Sequence, residues 1–230
     1  MTLRSNKFIV FLLTGAFSVL MLNFKSDNMN TKNYRMLSLG DSYTIGEGMQ
    51  PKDRFPNQAI AMMKTMGINF DEPKIIAKTG WTTDELMAAI ANEKPAHDYD
   101  FVTLLIGVNN QYRGRSSEEY LEDFKKLLKM AIEFANGKTN HVIVLSIPDW
   151  GVTPFAEGRD RKRIAEEIDL FNSINKQETE HLKVHYIDIT PSTRKAANDL
   201  SLVAEDKLHP SAKEYTIWAK LVADVIKGEK

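Results

Sequence analysis

From Tyr34 onward, short unbroken apolar runs alternate with longer amphipathic ones, and no repeat, low-complexity tract or linker interrupts them. The runs at 35–39, 74–77, 101–106, 141–147 and 184–187 are rich in Val, Ile and Leu and lack polar alternation. Strands covered on both faces read this way, because neither face meets water. Between them lie helical patterns. Over 117–134, Tyr120, Leu121, Phe124, Leu127, Leu128, Ala131 and Ile132 recur on one face of a 3.6-residue period. Ser116 with Glu119 and Thr82 with Glu85 have capping-box spacing, and Asn136-Gly137 offers a left-handed stop. The last helix is expected to open at Pro210 as a first-turn residue and to run through Tyr215, Trp218, Val222 and Ile226 to Gly228. Five strands interleaved with helices imply right-handed βαβ crossovers and an α/β class fold, a three-layer α/β/α sandwich with a five-stranded parallel sheet. A chain of 230 residues suffices for one such core and is short for two.

The first 28 residues stand apart. Arg4 and Lys7 precede an uncharged, mostly apolar run at 8–24. That is the layout of a secretory leader or of an uncleaved membrane anchor, its length at the lower edge of what spans a bilayer. Both readings stay open, and they predict an exported (periplasmic or extracellular) or membrane-tethered protein. A start at Met29 would leave the domain at 29–230 intact and cytoplasmic.

Composition removes several classes of function. The 30 basic and 31 acidic residues give a net charge of −1, with no excess to neutralise a nucleic acid backbone. No cysteine is present, which excludes disulfide frameworks, cysteine-ligated zinc, iron–sulfur clusters and thiol catalysis.

In sheets of this kind, sites form in the loops at the carboxyl ends of the strands. Those loops hold the unusual residues: Gly40-Asp41-Ser42 after the first strand, Thr79-Gly80-Trp81 after the second, Gly107-Val108-Asn109-Asn110 after the third, and Asp206-Lys207-Leu208-His209-Pro210 before the last helix. Together they contain what acyl ester cleavage requires. A serine hydroxyl is a weak nucleophile until an imidazole takes its proton, which pairs Ser42 with His209. The imidazole needs an acceptor on its other nitrogen, and Asp206 is offered three residues ahead. The developing oxyanion needs donors, here the backbone N–H groups of Ser42 and Gly80 and the side-chain amide of Asn109. Glycine at 80 is expected to allow close approach of the main chain. An ordinary helix cap is the bland reading of Asp206 and His209, and Ser42 and Asn109 argue against it.

These four blocks resemble those of the GDSL or SGNH hydrolases, whose Ser, Gly, Asn and His fall here on Ser42, Gly80, Asn109 and His209, with Asp206 completing the Asp-x-x-His-Pro block. The likeness covers essentially all of residues 34–228. The run at 107–114 and Ile147-Pro148-Asp149-Trp150-Gly151 look like the branch of bacterial lysophospholipase, thioesterase and arylesterase enzymes. The resemblance implies a flavodoxin-like strand order 2-1-3-4-5, a serine esterase or lipase acting on small-molecule esters, and no metal or cofactor. An acyltransferase using the same machinery and a non-catalytic carbohydrate-binding protein on the same scaffold are the alternatives. One position departs from the family: Asn110 stands where an acidic residue is usual. Asn110→Asp is expected to leave turnover within a few-fold.

Four aromatics that follow strand ends, Trp81, Tyr112, Trp150 and Phe155, are the candidate walls of an acyl or aromatic pocket. Met49, Met62, Met63 and Met66 are candidates for a lipophilic rim, with core packing as the competing reading. Gly46-Glu47-Gly48 lacks the lysine and hydroxyl of a phosphate loop and reads as a turn. The basic stretch at 159–163 reads as a solvated helix face, with steering of an anionic substrate as the sharper alternative. His97, His141, His181 and His185 read as surface or packing residues.

Overall fold

A computed structural model describes residues 33–230. The leader or anchor at 1–28 lies outside the described residues. Among the described residues no helix is long and apolar enough to cross a membrane.

Five parallel strands, β1 (Met36–Gly40), β2 (Lys74–Ala77), β3 (Phe101–Leu105), β4 (Val142–Leu145) and β5 (His185–Ile187), form one sheet in the order β2-β1-β3-β4-β5. The three central strands are buried at every residue, which is why β1, β3 and β4 carry no polar alternation. Helices α2 (Phe55–Thr65) and α8 (Ala212–Gly228) pack on each other over one face; α3 (Thr83–Glu93), α5 (Ser117–Phe134) and α6 (Arg161–His181) pack in sequence over the other. Leftward and then rightward right-handed crossovers sort the helices this way. The reversal opens a crevice between the carboxyl ends of β1 and β3, and three one-turn helices stand at strand ends: α1 (Ser42–Ile45), α4 (Val108–Tyr112) and α7 (Thr190–Thr193).

The expected boundaries need three corrections. The fourth run yields a strand only from Val142, because 139–141 close a 3-10 turn in which His141 stacks on Phe101 at 4.7 Å and bonds the Asp100 carbonyl at 2.6 Å. Helix α8 begins at Ala212 rather than Pro210. Pro210 is still extended, bridged antiparallel to Val203, and Ser211 is the cap, its hydroxyl accepting from the Glu214 N–H. At α5 only half of the capping box forms: Ser116 Oγ accepts the Glu119 N–H at 3.1 Å, while the Glu119 carboxylate turns to Arg115 at 2.7 Å. At α3 the Glu85 carboxylate does reach back to the Thr82 N–H, at 2.9 Å.

Two more histidines are held by contacts within the fold. His97 packs edge-on to Phe134 at 5.0 Å, and His185 bonds Glu229 at 2.8 Å.

Candidate active site

The chain leaves β1 through a turn that only glycine fits: a Cβ at Gly40 would collide with the Thr44 side chain and the Leu105 carbonyl at the end of β3. Asp41 then caps α1. Its Oδ1 accepts the Tyr43 N–H at 3.0 Å and its carbonyl accepts from Thr44 and Ile45 at 3.1 and 3.0 Å. This places Ser42 at the first position of the helix, at the crevice, with a backbone N–H that has no acceptor among the described residues. Asp41 is fully buried, and its Oδ2 finds no donor. Burial pushes its carboxyl up to about 7 against the lowering effect of the Tyr43 N–H.

After β2, Gly80 has φ +85°, a conformation that L side chains rarely adopt. Close approach is not its reason, since an added Cβ would meet only Arg113 Nη2 at 3.7 Å. Arg113 fixes this loop: Nη2 donates to the Gly80 carbonyl at 2.6 Å and Nη1 pairs with Glu85 at 3.2 Å. Glu47, in the turn after α1, accepts from the Thr79 hydroxyl and ties the same loop from the other side. The Gly80 N–H has no acceptor among the described residues.

After β3, α4 carries Asn109. One N–H of its amide donates to the Trp81 carbonyl at 3.0 Å, which orients the group and leaves the second N–H free. Its neighbour Asn110 is buried and turned inward. Asn110 Oδ1 accepts the Thr83 N–H at 3.1 Å and Nδ2 donates to Thr83 Oγ1 at 2.8 Å, whose own proton goes to Asp123 at 3.0 Å. Asn110 thus braces the start of α3 and does not line the cavity.

The loop before α8 brings the last group. His209 Nδ1 lies 2.6 Å from Asp206 Oδ2, and Asp206 Oδ1 accepts the N–H groups of Leu208 and His209 at 2.9 Å each. Partial burial works to raise the Asp206 carboxyl, and these three hydrogen bonds outweigh it, holding the group below the usual carboxylate range. The imidazole is buried and packs edge-on against Tyr43, 5.4 Å between ring centroids.

Ser42, Gly80, Asn109 and His209 line one open cavity of about 170 Å³, whose wall is completed by Tyr43, Thr79, Val108, Tyr112, Trp150, Phe155 and Leu208. Asp206 stands behind His209. Among the described residues no hydrogen bond joins Ser42 to His209; hydrogen bonds of such pairs commonly tighten only when substrate binds.

Of the four aromatic candidates, Tyr112, Trp150 and Phe155 line the cavity and Trp81 does not. Trp81 packs against the core, and only its carbonyl serves the site. Nor do the methionines form a rim: Met63 is core, Met49 and Met62 pack on it, and Met66 is exposed just beyond the end of α2. The stretch at 159–163 is only partly a solvated face. Arg161 donates to the Gly151 and Thr153 carbonyls at 2.8 and 3.1 Å, fixing the loop after β4, and Arg159 precedes the helix altogether.

Several supports lay beyond reach of the motifs. Gln111 accepts from the Trp150 indole at 2.8 Å, and Asn172 on α6 brackets Ile147 by accepting its N–H at 2.7 Å and donating to its carbonyl at 3.0 Å. The signal for Gln111 and Arg113 is their place two and four residues beyond Asn109, within and at the end of a helix that starts at the crevice. Asn172 carries none, since its partner is 25 residues away in an irregular loop.

Among the described residues no group of three His, Asp or Glu side chains could hold a metal ion.

Comparison with known proteins gives the family and the fold. The family described as "GDSL-like Lipase/Acylhydrolase family" matches residues 38–217. A curated relative, the secreted effector protein SseJ of Salmonella typhimurium, is 28% identical over 104 residues, 42% of this chain and 24% of that protein; the match spans about a quarter of its length. Among solved structures, the lipase/acylhydrolase of Enterococcus faecalis superposes with a TM-score of 0.64 at 19% identity, covering 85% of this chain and 96% of that one. Axe2, an acetylxylan esterase from Geobacillus stearothermophilus, superposes at 0.62 and 17%, covering 86% and 96%. TesA does so at 0.62 and 18%, covering 84% and 98%. At these identities the solved structures establish a shared fold.

Proposed function

The chain belongs to the GDSL-like lipase/acylhydrolase family and is a carboxylic ester hydrolase, and from that premise we propose that it works as a serine esterase through an acyl-enzyme on Ser42. The observation that carries this reading is the His209 ring, held by Asp206 at 2.6 Å, lining the same cavity as Ser42. His209 Nε2 takes the Ser42 proton as Oγ attacks the ester carbonyl, and Asp206 holds the proton on Nδ1 and stabilises the imidazolium. The carbonyl oxygen, now negative, sits among the Ser42 N–H, the Gly80 N–H and the free Asn109 N–H, each an unspent donor in the resting protein. His209 then protonates the leaving alcohol. Water, activated by the same imidazole, releases the acid and restores Ser42.

The cavity favours short acyl groups: it holds only about 170 Å³, and Tyr43, Tyr112, Trp150 and Phe155 make up its aromatic side. Acetylated sugars and other small esters fit it better than long-chain lipids. Export or tethering is the proposed location, supported by the apolar run at 8–24 and by a relative described as secreted.

The test is hydrolysis of p-nitrophenyl esters from acetate to palmitate by the purified protein and by Ser42→Ala. We expect turnover with an optimum at short chains that is lost in the variant. Turnover retained by a folded Ser42→Ala protein would remove Ser42 as nucleophile.

A further inference from the structure

Tyr112 and Trp150 also line a shallower hollow beside the cavity, bounded by Gln111, Arg159, Asp160 and Arg163. Arg159 stands where the two meet. Its guanidinium carbon lies 5.3 Å from the Tyr112 ring centroid, 5.4 Å from Trp150 and 5.5 Å from Phe155, and its Nη2 donates to the Tyr112 hydroxyl at 3.2 Å.

The rest of this guanidinium is uncommitted. A guanidinium has five N–H donors, and one is used here. Among the described residues no carboxylate pairs with it, and the two acids that line the hollow are engaged elsewhere: Asp160 caps α6 by accepting the Arg163 N–H at 3.0 Å, while Glu167 is held by Gln111 and Arg163, both at 2.7 Å. The platform beneath it is rigid, since Trp150 is buried and its indole is fixed by Gln111. A guanidinium kept over three rings with free donors, at the mouth of a reactive cavity, is built to receive an anion. The chain as a whole, at −1, offers anions no general attraction, so any such preference is local.

We propose that Arg159 is a specificity-determining residue that receives an oxyanionic group of the substrate, a carboxylate or a phosphate, with the portion between that group and the scissile ester lying across Tyr112 and Phe155. This assignment rests on the esterase reading above. It narrows the substrate class to esters that carry a negative charge a few ångströms beyond the reacting carbonyl.

The experiment uses four phenyl acetates that differ only in the para group of the leaving phenol: carboxylate, phosphate, neutral carboxamide and trimethylammonium. kcat and KM are measured for wild type, Arg159→Ala, Arg159→Lys and Arg159→Glu. Arg159→Ala should lower kcat/KM for an anionic ester relative to the carboxamide by roughly ten-fold, chiefly through KM, as expected for one charge-assisted contact. Arg159→Lys should recover part of the ratio, and Arg159→Glu should reverse it in favour of the trimethylammonium ester. The larger effect, on carboxylate or on phosphate, identifies the anion.

An equal fall for all four esters would mean that Arg159 only packs the aromatic wall, and an unchanged ratio would equally overturn the proposal. If wild type cleaves none of the esters, carboxamide included, the esterase reading is what fails. The anion site is then read separately, by tryptophan fluorescence titration of Ser42→Ala protein with phenyl phosphate and benzoate. Saturable binding lost on adding Arg159→Ala supports the site, and binding indifferent to that change, or absent, refutes it.

Discussion

His209 Nδ1 and Asp206 Oδ2 lie 2.6 Å apart, while the other oxygen of the same carboxylate accepts the Leu208 and His209 N–H groups. One side chain therefore shapes the loop and orients the ring. Asp206→Asn separates the two tasks. The amide oxygen can keep both backbone bonds, but the amide nitrogen would face Nδ1 as a donor and drive the ring to the tautomer with Nε2 protonated. We expect kcat for p-nitrophenyl acetate to fall by about 10²- to 10⁴-fold with the melting temperature nearly unchanged, the lower end reflecting the partial exposure of Asp206. A fall below ten-fold would show that Asp206 serves only the loop.

Asp41 gives the protein a pH dependence of stability that runs opposite to that of an ordinary surface carboxylate. Its folded pKa, about 7, lies above its unfolded value, so the folded state keeps a proton that the unfolded chain releases. The contribution is full below about pH 4 and is lost as pH rises to about 7, by at most ~1.4 kcal/mol per unit. Asp41→Asn keeps the cap and removes the titration. Urea unfolding of both proteins at pH 4.5, 6 and 8 should show the variant gaining on wild type as pH rises. A gap that is constant across that range would refute the assignment.

Asn110 predicts a coupling. Replacing it with Asp puts a second carboxylate on Thr83 Oγ1, which has one proton and already gives it to Asp123. Asn110→Asp should cost about 1 to 3 kcal/mol, the range for a buried group left without its partner. Asp123→Asn should recover most of that in the double variant, because its amide can donate to Thr83 Oγ1 and free the threonine proton. Additive losses in denaturant unfolding would contradict the network. Turnover by the folded single variant should stay within a few-fold, since Asn110 does not line the cavity.

The strands, the helix periods and four residues of the cavity were legible because they rest on local signals, while the strand order followed from the family resemblance. Apolar runs announce buried strands, and Ser42, Gly80, Asn109 and His209 each sit at a strand end or just before the last helix. Contacts made across the fold were not legible. Trp81 and Tyr112 look alike in sequence, yet one turns to the core and the other to the cavity, because α3 starts directly after Trp81 whereas Tyr112 ends a one-turn helix in the open. Arg159 looks like one more charge of a helix face; its place over three rings follows from the path of the 3-10 turns 150–152 and 154–156, which periodicity cannot describe.

The packing of α2 against α8 has a consequence for synthesis. By Ile187 the ribosome has delivered all five strands and Ser42, but Asp206, His209 and the buried Trp218 of α8 are still to come. Until they emerge, α2 lacks the helix it packs against and Ser42 lacks the imidazole that the proposed mechanism requires. The same C-terminal stretch that carries the buried Trp218 also carries His209, which packs against Tyr43, so core closure and the proposed base depend on one segment. On the proposed mechanism, a chain that ends short of His209 has no base for Ser42 and cleaves no ester.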